Sequence, residues 1–308
     1  MGVFLQGSQN YNLDIYDDDY KSDVDSKVIV LPTLDDLVNG RKPVSTKYDF
    51  EAEQIDVKDI RVMMEMWKKQ NQSYLEILFT DLYIINPKYQ KVFDLLSEMN
   101  DDISKMNMHL LVRCITGMAS EKQHALEHVY PATADKIDKF GYDPKQLASL
   151  LRLEDLIYNL FVKHKSFGEA IFYEEGSERD GMILTKKGHF SLEEARVIAD
   201  NSLNHIRTIR DDIIENTEAF FDSEVLHRLE DIVYQTVKES IIYQVQQIKY
   251  NNFTLLFSNI YPDDEFYKSE EKVIEKLSVP YQQNIFDYYK ETFLGSEILK
   301  KINIGCSL

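Results

Sequence analysis

Residues Phe4–Val30 read FLQGSQNYNLDIYDDDYKSDVDSKVIV, and the segment from Gly7 to Asp25 within them is the part around which the rest of the chain is arranged. A short apolar run ends at Gly7 and Ser8, a polar segment follows, and Asp23 and Asp25 stand one residue apart at the head of a second apolar run. Side chains alternate across a strand, so residues i and i+2 share a face. The two carboxylates are therefore expected to project together, with Val24 between them on the buried side. Like charges held that close cost free energy unless a cation neutralises them, and a hard divalent ion, Mg²⁺ above all, suits such a pair of oxygen ligands. The glycine-serine turn lets backbone amides approach a ligand, with the Ser8 hydroxyl available to a phosphate.

Gly7-Ser8, then Tyr11 and Leu13, then Ser22-Asp23-Val24-Asp25 resemble the GS…Y.L…SDxD signature of the nucleotidyltransferases of the DNA polymerase β superfamily, and among these a bacterial and phage group. The resemblance implies an α+β chain: a small mixed-sheet nucleotidyltransferase domain followed by a mostly helical domain. It also implies that Gly7 and Ser8 hold a nucleoside triphosphate, with Tyr11 beside them, and that Asp23 and Asp25 bind two Mg²⁺ with a third carboxylate from a neighbouring strand. Asp56, in EQIDVKDIR, stands where that third one is expected, with Asp49, Glu51, Glu53 and Asp59 close enough to be alternatives. Asn12 occupies a position where the group has glycine, and asparagine tolerates left-handed backbone better than most residues.

Two further stretches extend the resemblance. NQSYLEILFTD resembles an NPxxLExLF segment, with Gln72 in place of proline; Glu76 within it reads better as a packing or capping residue than as a functional carboxylate. GYDPKQLASLLRLEDLIYNLF, residues 141–161, resembles a YDxKxxxHxxRL helix, with Ser149 in place of histidine. Lys145 and Arg152 are seven residues apart, about two helical turns, and so share a face that suits a nucleotide triphosphate.

Composition bounds these readings. At 308 residues with 44% hydrophobic side chains the chain can build sizeable cores, and the expected organisation is a catalytic domain over 1–95, a helical domain over 96–250 that completes the nucleotide site, and a helical extension over 251–308. Two distant cysteines, Cys114 and Cys306, and the lack of any apolar run of signal or membrane-spanning length fit a cytoplasmic protein with no membrane partner. A net charge of −18 repels nucleic acid, so a polynucleotide substrate would need a local basic channel.

Taken in order, residues 2–6 suit a strand and 8–13 a short helix capped by Ser8. The acidic run Asp17–Asp19 reads as a solvated loop. Thr33 with Asp36 starts a helix that ends at Asn39-Gly40, Tyr48–Asp56 suits a strand, and Val57–Lys69 a helix with Ile60, Met63, Met64 and Trp67 on its apolar side. Residues 174–190 suggest a turn or hairpin; Ser191 and Glu194 open a helix to about Asn204, and two more amphipathic helices follow before residue 250. HALEH, residues 124–128, matches an HxxEH zinc-peptidase motif, but Pro131 would truncate its helix, and exposed helical histidines are the better account.

The expected function is transfer of NMP from an NTP to an acceptor hydroxyl of RNA, tRNA, a protein or a nucleotide. A catalytically silent nucleotide-binding regulator or scaffold of the same fold is the alternative. The C-terminal helices are the expected place for any oligomer contact.

Overall fold

The computed structural model describes residues 1–260 apart from residues 19, 51, 52 and 132, with side chains described through residue 248. The expected extension over 251–308 therefore lies outside the described residues, except for the end of one helix.

The chain is α+β, with a five-stranded mixed sheet and many helices. β1 (Gly2–Gln6) and β2 (Val24–Val30) pair antiparallel, with Gln6 opposite Asp25. β2 then pairs in parallel with β4 (Glu53–Asp59), and β4 forms an antiparallel pair with β3 (Ser45–Asp49). β5 (Tyr83–Ile85) closes the other edge against β1, giving the order β3-β4-β2-β1-β5. A parallel pair needs a crossover, which α1 (Leu34–Val38) and β3 supply. Thr33 and Asp36 form the capping box expected at the start of α1.

One difference follows from the sheet. The single strand expected over 48–56 is two, β3 and β4, and β4 runs on to Asp59. Lys58 and Asp59 are buried in the sheet and Asp59 caps the next helix, accepting from Arg61 N–H at 2.9 Å. Helix α2 (Ile60–Lys68) therefore starts three residues later than its apolar spacing suggests, with Ile60, Met63, Met64 and Trp67 buried as expected. Trp67 is fully buried and its indole N–H donates to Tyr74 O at 2.9 Å, so the large ring enters the core without an unmet donor.

After β5 the chain is helical. Residue 95 falls inside α4 (Gln90–Glu98), whose Phe93 and Leu96 join a core shared with β1, β2 and α2. That core continues without interruption into α6 (Met108–Ala125), α8 (Pro144–Phe161) and α11 (Leu192–Asn216), and Met1–Lys238 forms one compact unit. Asp143 caps α8 and Pro144 occupies its first turn, where a missing N–H costs nothing; Leu147, Leu150, Leu153, Ile157 and Leu160 are buried. Each such side chain stabilises the fold by about 1.5–3 kcal/mol before entropy is counted.

The segment read as a turn or hairpin over 174–190 contains α10 (Ser177–Lys186), which packs against α8. Gly176 precedes it, Glu178 and Asp180 lie in its first turn, and Gly188 ends it at a φ of 78°. Ser191 and Glu194 form the expected capping box, but α11 continues to Asn216 because Ile206, Ile209 and Ile213 keep the helical spacing of its buried face. The remaining helix, α12 (Ser223–Ile260), crosses from this unit into a second one that begins at Glu239. Among the described residues no helix is long and apolar enough to cross a membrane.

Candidate active site

The site is built on the turn between β1 and β2. Gly7 has a φ of +71°, and a Cβ at this position would lie 3.0 Å from Asp25 Oδ2. Only glycine combines that backbone with so close an approach of the carboxylate. Residues 7–12 form turns rather than the expected short helix: Tyr11 N–H donates to Gly7 O at 3.2 Å and Leu13 N–H to Ser8 O at 2.8 Å. The left-handed residues Gly7 and Asn12 bracket this segment and stop a helix from propagating. Asn12, with a φ of 59°, adopts the conformation that glycine would supply. It is held there by its own amide, which donates to Tyr173 O at 2.9 Å, and by Arg179 Nε, which donates to Asn12 O at 2.7 Å.

Asp23 sits one residue before β2 and Asp25 one residue inside it, with a half-buried Val24 between them. Asp23 is about half exposed; Asp25 is more enclosed, and burial raises its carboxyl above the usual range. Lys145 opposes that rise and the charge of Asp23 adds to it, as expected of two carboxylates crowded together. Lys145 Nζ, at the start of α8, lies 3.2 Å from Asp23 Oδ2.

A second lysine completes the group. Lys186 Nζ, at the end of α10, donates to Ser8 Oγ at 3.0 Å and to Leu13 O at 2.7 Å. Burial lowers its pKa to about 8, and the neighbouring Lys145 charge pushes the same way against Asp14, Asp23 and Asp25. The reading of the sequence missed this residue. The TKKG string shows two adjacent lysines, but only the packing of α10 on α8 selects Lys186 for the turn and sends Lys187 to Asp17.

Tyr11 and Arg152 lie beneath the turn. Tyr11 is buried and its hydroxyl donates to Glu76, while the Arg152 guanidinium stacks on the Tyr11 ring at 4.1 Å. Glu76 also accepts from Gln72 Nε2 at 3.2 Å and from the Gly7 backbone N–H. Burial pushes the Glu76 carboxyl up to about 8, outweighing the opposing pull of Arg152 and of Gly7 N–H. Burial likewise lowers the Arg152 pKa, and its Nη1 has no hydrogen-bond partner. Lys145 and Arg152, although two turns apart on one helix, thus meet different parts of the turn: Lys145 the carboxylates, Arg152 the underside.

Asp56 is engaged elsewhere. In the parallel pairing Asp25 lies beside Gln54, and Asp56 beside Lys27. Lys27 shares Asp25's face of β2, two residues or about 7 Å further along. Its Nζ is 3.3 Å from Asp56 Oδ2, and Lys58 Nζ is 2.7 Å from Oδ1. Lys27 is 2% exposed and lies over the Tyr74 ring at 3.8 Å, with burial lowering its pKa to about 8. Both oxygens of Asp56 therefore face an ammonium, whereas Asp23 meets one, that of Lys145 at Oδ2; carboxylate oxygens are the hard donors that Mg²⁺ takes. Among the described residues no group of three or more His, Cys, Asp or Glu is placed to hold a metal ion.

The HALEH histidines do not form a site. Helix α6 ends at Ala125, so His124 and His128 are not on one continuous helix; His128 packs against the Tyr130 ring at a tilt, and Glu127 forms a two-pronged pair with Arg196 at 2.6 and 2.8 Å.

The arrangement offers an anion a glycine-serine turn and two lysines, and offers a hard cation two carboxylates. Comparison with protein-family models and with curated proteins finds no match for the chain.

Proposed function

We propose that the chain is a Mg²⁺-dependent nucleotidyltransferase that transfers NMP from a nucleoside triphosphate to an acceptor hydroxyl and releases pyrophosphate. The observation that carries this reading is the closeness of Gly7 to Asp25, which sets the glycine-serine turn against one of the paired carboxylates, with Lys145 on Asp23 and Lys186 on Ser8.

Asp23 and Asp25 would hold Mg²⁺, which when bound neutralises phosphate oxygens and acidifies an acceptor hydroxyl. The Ser8 hydroxyl binds the β and γ phosphates. Lys186, already hydrogen-bonded to Ser8, and Lys145 stabilise the charge that develops on the leaving pyrophosphate. Tyr11, Arg152 and Glu76 hold the turn from below. The acceptor is RNA, a tRNA end, a protein or a second nucleotide.

A second reading, a nucleotide-binding regulator without turnover, draws on the engagement of Asp56 by Lys27 and Lys58. Parallel assays with α- and γ-labelled triphosphates separate the two. Transfer delivers the α label to an acceptor and the γ label to pyrophosphate; the regulator binds both labels and returns them unchanged. Release of the γ label as phosphate would point to hydrolysis and contradict both.

A further inference from the structure

The lysines around Asp56 bear on how many metal ions the site takes. Lys27 projects from β2 on the same face as Asp25, two residues further along, and stands directly opposite Asp56 of β4. It is fixed there on three sides: by Asp56 Oδ2 at 3.3 Å, by the Tyr74 ring at 3.8 Å and by Ser73 O at 3.4 Å. Lys58, mostly buried, holds the other Asp56 oxygen at 2.7 Å and is itself tied to Ser45 Oγ at 2.8 Å. A carboxylate whose two oxygens already face two buried ammonium groups carries no spare negative charge for a divalent ion. Bringing such an ion close would also set it against the like charge of Lys27, a repulsion that a partly buried setting screens poorly.

Resting on the nucleotidyltransferase reading, we infer that this site takes one divalent ion, at Asp23 and Asp25, and that the Lys27 ammonium stands as a fixed cation where a second ion would otherwise share Asp56. Lys27 is then a positioning residue: with Lys58 it engages both Asp56 oxygens and so sets the charge of the sheet beside Asp25.

The test counts ions rather than turnover. Mn²⁺ binding to the full chain is titrated by electron paramagnetic resonance in the presence of each α,β-methylene nucleoside triphosphate, which cannot be cleaved at the α position. One Mn²⁺ per chain, with no coupling between two Mn²⁺ centres, is the expected result. Asp56→Asn, checked for native circular dichroism, is expected to keep that single ion. Two Mn²⁺ per wild-type chain, with spin coupling, would overturn the inference while leaving the nucleotidyltransferase reading intact. No Mn²⁺ with any of the four analogues would overturn both. The wild-type count decides the matter even where Asp56→Asn fails to fold.

Discussion

Lys186 Nζ donates to Ser8 Oγ at 3.0 Å, joining residues 178 positions apart in the chain. This contact ties a helix in the second half of the sequence to the turn in the first, and it places a cation at the point where the proposed substrate carries most of its charge. Lys186→Met keeps the length of the stem and removes the charge. A charge-assisted hydrogen bond of this kind contributes about 1.5–3 kcal/mol, so triphosphate affinity is expected to fall about 10–100-fold, read by equilibrium binding. Unchanged affinity would remove Lys186 from the site.

The same residue gives the site a pH dependence. The Lys186 pKa, lowered by burial to about 8, means that the ammonium is present below that pH and is lost as pH rises through it. Affinity of the wild type for triphosphate is expected to decline from pH 7.5 to 9.5, and Lys186→Met is expected to flatten that decline. A wild-type profile that stays level across this range would contradict the assignment.

Gly7 is the most constrained position in the turn. Alanine there meets both a left-handed backbone, at a φ of +71°, and Asp25 Oδ2 at 3.0 Å. Gly7→Ala is expected to lower stability by about 1–2 kcal/mol in urea unfolding, and to weaken triphosphate binding more than stability alone explains, because relief of the contact moves Asp25. Retention of full affinity would show that the approach of Gly7 to Asp25 has no part in binding.

Beneath the turn, Glu76 links stability to pH. Its folded pKa of about 8 lies above the ordinary 4.5 of a glutamate, so between these values the folded state holds a proton that the unfolded state has lost. Its contribution is therefore fully present below about pH 4.5 and is lost as pH rises through about 8. Wild type is expected to lose more stability than Glu76→Gln between pH 5.5 and 9, measured as the shift in urea midpoint. Parallel shifts in the two proteins would mean that Glu76 is ionised throughout.

The parts of this structure legible in the sequence are those set by local chemistry. The strand at the N-terminus, the capping boxes at Thr33 and Ser191, and the apolar stripe from Ile60 to Trp67 each follow from spacing within a few residues. The pairing register of β2 with β4 does not, because it depends on which residues of two separated strands come side by side. That register alone puts Lys27 opposite Asp56 and so decides what Asp56 does. Arg152 shares the limitation: helical spacing puts it on the Lys145 face, but the packing of α8 over the turn decides that it meets the Tyr11 ring. Lys186 was hidden for a related reason, since a lysine pair beside Gly188 reads as a surface turn until α10 is packed against α8.

Asp23 and Asp25, at the head of β2 beside the Gly7–Ser8 turn, are the proposed metal-binding pair. The most direct measurement incubates the full chain with each α-³²P-labelled nucleoside triphosphate and Mg²⁺, with and without total RNA, and compares it with Asp23→Ala plus Asp25→Ala. Transfer of label to RNA, protein or nucleotide by the wild type, lost in a double variant that keeps native circular dichroism, is the predicted result. Label transferred equally by both proteins, or by neither with any triphosphate, would contradict it.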